Sequence, residues 1–330
     1  MTHKVTRRGL LLGTLMLSSG AGLTGHRAIA SPYPTRPIRL LIGGAAGGVP
    51  DVIARLLGDR LSIALGQAVV IENRPGAGGI IAMQALVRSP PDGYTIALAT
   101  MSQAVFNSYL FSKLPYDPMQ DLEPVALLVT GAMAIVAHPS FPANTFGEFV
   151  SIAKAQPGKV LFGIPANGSP PHVVAQSVVR AAGIEVAFVP FKSGPDAVTG
   201  ALRGDVQVAI DAPLIFTPHV KDRTLKVIAV TGRSREQEMP DVPTVAEAGF
   251  PAAEGEAWIG LVAPAHTPRE IVMRLNQEIA VILAIRELRE RFQTLSFTPV
   301  TATPDEFQAL LRQEHARWGV VIREAGIKLD

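Results

Sequence analysis

Residues 38–51 read I-R-L-L-I-G-G-A-A-G-G-V-P-D, and this run limits the fold more than any other feature of the chain. Ile38, Leu40, Leu41 and Ile42 make an apolar segment of strand length. Gly43, Gly44, Gly47 and Gly48 then bring bare backbone to the surface. Pro50 and Asp51 open a helix in which apolar Ile53, Leu56, Leu57, Leu61 and Leu65 recur near the 3.6-residue helical period. A buried strand passing through a glycine loop into a helix is the first half of a βαβ unit. The junction also offers unpaired N–H groups at the positive end of a helix dipole, which suits an anion.

The chain then repeats this unit. Residues 69–72 form a second strand, Asn73-Arg74-Pro75-Gly76-Ala77-Gly78-Gly79 a second glycine-rich turn, 80–88 a helix and 94–100 a third strand. Such an order predicts a parallel sheet with right-handed crossovers, with ligands beyond the carboxyl ends of its strands. Both glycine loops and Thr100-Met101-Ser102-Gln103 leave those ends. Residues 124–137 are apolar over a length greater than one strand needs, and read as chain crossing between lobes. Thr145 with Glu148 is a capping box for a helix to residue 155. A strand at 160–163 leads into Pro165-Ala166-Asn167-Gly168-Ser169-Pro170-Pro171-His172. There Ser169 is the N-cap and Pro170 the first helical residue, and Gly183 closes the helix. Strands at 186–189 and 206–211 flank a helix begun by Ser193-Gly194-Pro195, and 225–231 reads as a second crossing strand. Three further Thr-x-x-Glu boxes follow, Thr244 with Glu247, Thr267 with Glu270 and Thr303 with Glu306. Helices are expected at 268–284, 286–295 and 304–325, and a strand at 258–262. The expected architecture is α/β in two lobes, each a mainly parallel sheet flanked by helices. Residues 31–125 and 233–330 make the first lobe and 126–232 the second, with two crossing strands as hinge.

The first thirty residues have the order of a signal peptide: basic Lys4, Arg7 and Arg8, an apolar stretch at 10–23, and Ala28-Ile29-Ala30 before a cut after about Ala30. Thr6-Arg7-Arg8-Gly9-Leu10-Leu11 matches the twin-arginine pattern, and Arg27 favours that route over general secretion. The expected location is the periplasm. Cleavage takes Lys4, Arg7, Arg8 and Arg27 from the 30 basic residues, leaving 26 against 28 acidic, so the positive charge of the precursor does not support nucleic-acid binding. With no cysteine, the exported chain is held by its core alone. Its 300 remaining residues are enough for two α/β domains.

Several stretches together resemble one family. They are Tyr33-Pro34-Thr35-Arg36-Pro37-Ile38, residues 45–51, Glu72-Asn73-Arg74-Pro75-Gly76-Ala77-Gly78-Gly79 and Pro91-Asp92-Gly93-Tyr94-Thr95. Leu114-Pro115-Tyr116-Asp117-Pro118, Gly204-Asp205-Val206-Gln207, Met239-Pro240-Asp241-Val242-Pro243-Thr244 and Trp258-Ile259-Gly260-Leu261 complete the set. In this order they resemble the periplasmic substrate-binding receptors of tripartite tricarboxylate transporters, the Bug receptors. The resemblance implies a type II, Venus-flytrap binding-protein fold, no catalysis and no cofactor. It also implies a monomer with a small organic carboxylate between its lobes and integral-membrane permease subunits as partners. The chain departs from the family where Gly43-Gly44 replaces a bulky residue and often Pro-Phe. It departs again where Ser102-Gln103 replaces Thr-His, and where Asn167 precedes the Gly, Ser and His of the second-lobe loop.

Candidate site residues follow. Ala46, Gly47 and Gly48 lie where the family binds a carboxylate through backbone N–H groups and water; Asp51 beside them fits better as a helix cap, since its charge opposes an anion. Asn167, Ser169 and His172 sit at the second-lobe helix start, where a hydroxyl and a second helix dipole would meet the same ligand, unless they are a plain N-cap and a packed histidine. Ser102 and Gln103 offer donors from the first lobe. Asp211, at a strand end, could accept from a ligand hydroxyl or ammonium, and Lys192 is the obvious cation near that edge. Trp258 is placed toward the cleft wall and Trp318 in the core. Two enzyme readings are less favoured, one of them an enzyme on a Rossmann-like α/β fold, whose order of strand, glycine loop, helix and a strand ending in Glu72 is present. Ala45 and Ala46 break the G-x-G-x-x-G dinucleotide spacing, and no G-x-S-x-G elbow or zinc-ligand spacing occurs. A carboxylate sensor acting through a partner protein, without transport, stays open.

Overall fold

The computed structural model describes residues 33–329, so the signal-peptide reading of residues 1–30 lies outside them. The first sheet begins with β1 (Ile38–Ile42), α1 (Val49–Leu65), β2 (Val69–Asn73), α2 (Ile80–Val87) and β3 (Thr95–Thr100). A π-helical turn at Ser102–Phe106 runs into α3 (Asn107–Leu110), and β4 (Leu122–Ala132) follows. The chain crosses at Met133 into β5 (Ala134–Ala137), then α4 (Phe146–Ala155), β6 (Leu161–Ile164), α5 (Pro170–Ala182) and β7 (Ala187–Pro190). Next come α6 (Gly194–Arg203), β8 (Val208–Asp211), α7 (Pro213–Lys221) and β9 (Lys226–Val230). The return brings β10 (Glu256–Pro264), α8 (Arg269–Leu283), α9 (Arg286–Gln293), β11 (Thr298–Pro299) and α10 (Pro304–Glu324).

Two mixed sheets result, ordered β11-β4-β10-β3-β1-β2 and β7-β6-β8-β5-β9. β1 pairs in parallel with β2 and β3, and β6 in parallel with β7 and β8. β10 is antiparallel to β3 and β4, and β5 to β8 and β9. The reversals follow from the crossings. β4 leaves the first sheet beyond the carboxyl end of β3 and enters the second beside the carboxyl end of β8, where Ala134 pairs with Asp211. A strand that enters a sheet from its carboxyl edge must run against its neighbours. The same holds for the return, where Glu256 of β10 pairs with Ala132.

Alternate residues of β1 face opposite layers. Ile38, Leu40 and Ile42 pack with Leu57, Leu61, Val272 and Leu275 beneath α1 and α8. Leu41 faces Met83, Leu86 and Phe106 beneath α2 and the π turn. That second layer continues without a break into Ile135, Phe162 and Val174 of the other sheet, with Trp258 and Trp318 in the same cluster. Trp318 is fully buried and Trp258 nearly so. Thr231, itself fully buried, laces the crossings. Its Oγ1 accepts from Met133 N–H at 2.9 Å and donates to Gly255 O at 2.6 Å, while its own N–H and C=O bond Met133 and Gly255.

Helix starts match the sequence expectation at Thr145, Ser169, Ser193 and Thr303, each side chain accepting from the N–H three residues on. Four details differ. α1 begins at Val49, so Gly48 is its N-cap and Asp51 already lies inside its first turn. Thr267 caps nothing, because its Oγ1 donates back to Pro264 O, and α8 starts behind Pro268 without a side-chain cap. Thr244 and Glu247 close both bonds of a capping box, yet only a turn follows. α7 was not expected at all.

Candidate functional site

The carboxyl edges of the two sheets face each other across a cavity of about 380 Å³. The first sheet contributes Gly43 and Gly44 from the end of β1, Val49 and Pro50 from the start of α1, and Thr100 to Gln103 from the end of β3. The second contributes Pro170 and Pro171 from the start of α5 and Asp211 from the end of β8. Met133, Trp258, Ile259 and Phe297 close the side next to the crossings. Among the described residues no lysine, arginine or histidine lies on this wall, and Asp211 is its one ionisable side chain.

Of the sequence-chosen residues, the structure brings Ser102, Gln103 and Asp211 together on this wall. Gln103 is held in one orientation. Its Oε1 accepts from Thr100 N–H at 2.7 Å and from Thr100 Oγ1 at 2.5 Å, so its NH2 group is turned the other way, against Gly43 and Gly79. A Cβ on Gly43 would lie 2.9 Å from Gln103 Nε2, and one on Gly79 only 2.1 Å from it. Gly43 is also crowded by backbone, since its Cβ would lie 2.8 Å from Gly79 Cα, so glycine there leaves room for both the Gly79 backbone and the Gln103 amide. Gly44 differs, since a Cβ there would meet nothing nearer than Pro50 Cγ at 3.9 Å and would project into open cavity.

Ala46, Gly47 and Gly48 belong to the loop behind Val49, and none of them is on the cavity wall. Gly47 N–H donates to Asp51 Oδ2 at 2.9 Å and Gly48 N–H to Ala45 O at 3.2 Å. The N–H groups of Ala46 and of Val49 make no hydrogen bond to another described residue. Asp51 is buried and structural: besides Gly47 it accepts from Arg55 at 2.9 Å and Asn73 at 2.9 Å. The Arg55 hydrogen bond, with those from Gly47 and Asn73, holds its carboxyl down at about 2.

The second-lobe group is likewise turned inward. Ser169 Oγ donates to Ala166 O at 2.8 Å and accepts from His172 N–H at 3.4 Å. His172 is buried against Phe188; its Nδ1 accepts from Gly168 N–H at 3.0 Å and its Nε2 lies 3.2 Å from the Gln176 amide. Burial pushes its pKa down to about 4, so the ring is neutral. Asn167 and Lys192 are exposed and off the wall. Asp211 Oδ1 accepts from Ala212 N–H at 2.7 Å, and burial raises the carboxyl to about 6. Its Oδ2 packs against Gly194, where a Cβ would come within 2.5 Å.

The Gly43-Gly44 departure does fall on the wall, whereas sequence reasoning missed Val49, Pro171, Met133 and Phe297 as wall residues. The doubled proline at the α5 start was a visible signal; Phe297 and Met133 reach the cavity from parts of the chain with none. Among the described residues no group of His, Cys, Asp or Glu could hold a metal ion, and no helix is long and apolar enough to cross a membrane.

A cavity between two mixed sheets, rimmed by helix starts, is the arrangement of a solute receptor. Comparison with known proteins agrees. The family described as "Tripartite tricarboxylate transporter family receptor" matches residues 53–327. Protein BugT of Bordetella pertussis (strain Tohama I) is 32% identical over 326 residues, covering 98% of this chain and 99% of that protein. A solved R. palustris protein with adipate superposes with a TM-score of 0.76 at 31% identity, covering 90% of this chain and 100% of that one. MatC of Rhodopseudomonas palustris with bound malate superposes with a TM-score of 0.72 at 30% identity, covering 88% and 100%. With the family match spanning most of the chain and the sheets, cavity and relatives in accord, this protein belongs to the tripartite tricarboxylate transporter receptor family and is a receptor, not an enzyme.

Proposed function

We propose that the chain is a periplasmic receptor that holds a small organic carboxylate between two lobes and hands it to the membrane permease subunits of a tripartite tricarboxylate-type transporter. The observation that carries this reading is the cavity's position, at the facing carboxyl edges of two sheets, beside donors that have no partner among the described residues: Val49 N–H, Ser102 Oγ and Gln103 Nε2. A carboxylate is bound well by a helix start and amide donors without a cationic side chain. The relatives solved with adipate and with malate support the same ligand class. On this reading residues 1–30 are the export signal, and the lobes, residues 31–125 with 233–330 and residues 126–232, close as bodies about the crossings. Closure would create the surface that the permease recognises, and the receptor acts as a monomer.

The test is a thermal-shift screen of the mature protein against mono-, di- and tricarboxylates, with the corresponding amides as controls. A ligand that binds only the folded state raises the melting temperature, by the equivalent of about 2.7 kcal/mol at 100 times its dissociation constant. At least one carboxylate is expected to shift the curve and its amide not to. If none does at millimolar excess, and calorimetry also detects no binding, the carboxylate reading is wrong.

A further inference from the structure

The two jaws of the cavity are unequal, and the difference can be followed one backbone N–H at a time through the start of α5. Gly168 N–H donates to His172 Nδ1 and Ser169 N–H to Ala166 O. Pro170 and Pro171, the first two helical residues, have no N–H. His172 N–H donates to Ser169 Oγ and Val173 N–H to Ser169 O. A helix start normally leaves several donors for an anion. In this one each is absent or already used, and the part that reaches the cavity is the apolar face of Pro170 and Pro171. Asp211 stands on the same side, with Oδ1 occupied by Ala212 N–H and, among the described residues, no cation on the wall to offset its charge.

The first jaw is the opposite. Val49 N–H, Ser102 Oγ and Gln103 Nε2 all lie there, together with the open space above Gly44. Between the jaws the wall is Met133, Trp258, Ile259 and Phe297. A carboxylate therefore finds donors at one end only. A second one would lose its hydration against proline rings and meet the Asp211 carboxylate, which is strongly unfavourable for an unpaired charge. We propose that the cavity selects a monocarboxylate with an apolar, ring-sized body, and discriminates against di- and tricarboxylates. Its carboxylate lies on the first jaw and its body against Trp258, Phe297 and the two prolines. The proposal rests on the carboxylate-receptor reading above and narrows it.

Calorimetric titration of the mature protein with benzoate, phenylacetate, adipate, malate and citrate tests it. The better of the two aromatic acids is expected to bind at least about tenfold more tightly than any of the other three. Equal or tighter binding of adipate, malate or citrate overturns the proposal and leaves the receptor reading standing; no binding by any of the five, while another carboxylate shifts the melting curve, overturns the proposal alone. Silence toward every carboxylate in both assays overturns both. Two variants probe the cause. Pro171→Ala restores one N–H at the α5 start and should improve adipate affinity relative to benzoate by about tenfold; an unchanged ratio in a variant with a wild-type melting temperature counts against the missing donor. Gly44→Leu fills the open side and should weaken benzoate binding about tenfold or more. Should Gly44→Leu prove unstable, Gly44→Ala, whose Cβ has room, carries the same test with a smaller expected loss.

Discussion

At the scale of single residues, the most informative contact joins positions sixty apart: Gln103 Nε2 against Gly43. Two departures from the family pattern, read separately in the sequence, are one steric unit. Gly43→Ala should destabilise the protein by about 1–3 kcal/mol through overpacking, and Gln103→Ser in the same chain should recover only part of the loss, because the Gly79 backbone still crowds the new Cβ. Additive effects of the two changes in urea denaturation would show that the contact is not what requires glycine. His172 and Asp211 make a second prediction with opposite signs. His172 titrates near 4 in the folded protein and near 6.5 when unfolded, so the unfolded chain binds more protons between those values and stability falls as pH drops through that window. Asp211 titrates near 6 folded and 3.8 unfolded, so its burial costs stability as pH rises through 3.8 to 6. Comparing urea midpoints at pH 4.5 and 7, His172→Gln should lose less on acidification than the parent, and the advantage of Asp211→Asn should grow toward pH 7.

At the scale of elements, what was legible was local. Ser169 and Thr303 announced their helices to the residue, because an N-cap needs only its own turn. Thr303→Ala removes the acceptor of Glu306 N–H at the head of α10 and should lower stability by about 1 kcal/mol in chemical denaturation, whereas Thr267→Ala should cost α8 no cap. What failed also has physical reasons. Thr244 and Glu247 close their box, but Gly249 follows with φ at 95°, a left-handed turn that ends the segment before a helix can grow. α7 hid behind Pro213 at its start and Pro218 inside it, and its helical form comes from packing of the buried Phe216 rather than from propensity. Strand direction was out of reach, since β10 is reversed by pairing with strands more than 120 residues earlier in the chain. For the cavity, Ser102, Gln103 and Asp211 could be read because they leave strand ends, while the engagement of Gly47 N–H by Asp51 could not.

At the scale of the whole molecule, Thr231 ties the outgoing crossing at Met133 to the return at Gly255. Thr231→Val keeps the shape and leaves the Met133 N–H and the Gly255 carbonyl each one partner short, so a loss of about 1–3 kcal/mol is expected on heating or in urea. If Thr231→Val melts with the parent, the lacing contributes nothing. The reversed strands also bear on how the chain acquires its shape over time. All five strands of the second sheet come from one continuous segment, residues 134–230, whereas the centre of the first sheet is β10, made after that segment and inserted between β3 and β4. Contacts that close long loops form late. Pulsed hydrogen exchange during refolding should therefore protect amides of β6 and β8 before those of β3 and β4. If so, a chain halted before residue 256 would present the unpaired flanks of β3 and β4 as exposed sheet edges open to self-association. The strand that completes the cavity is thus also the one that retires the molecule's chief aggregation hazard.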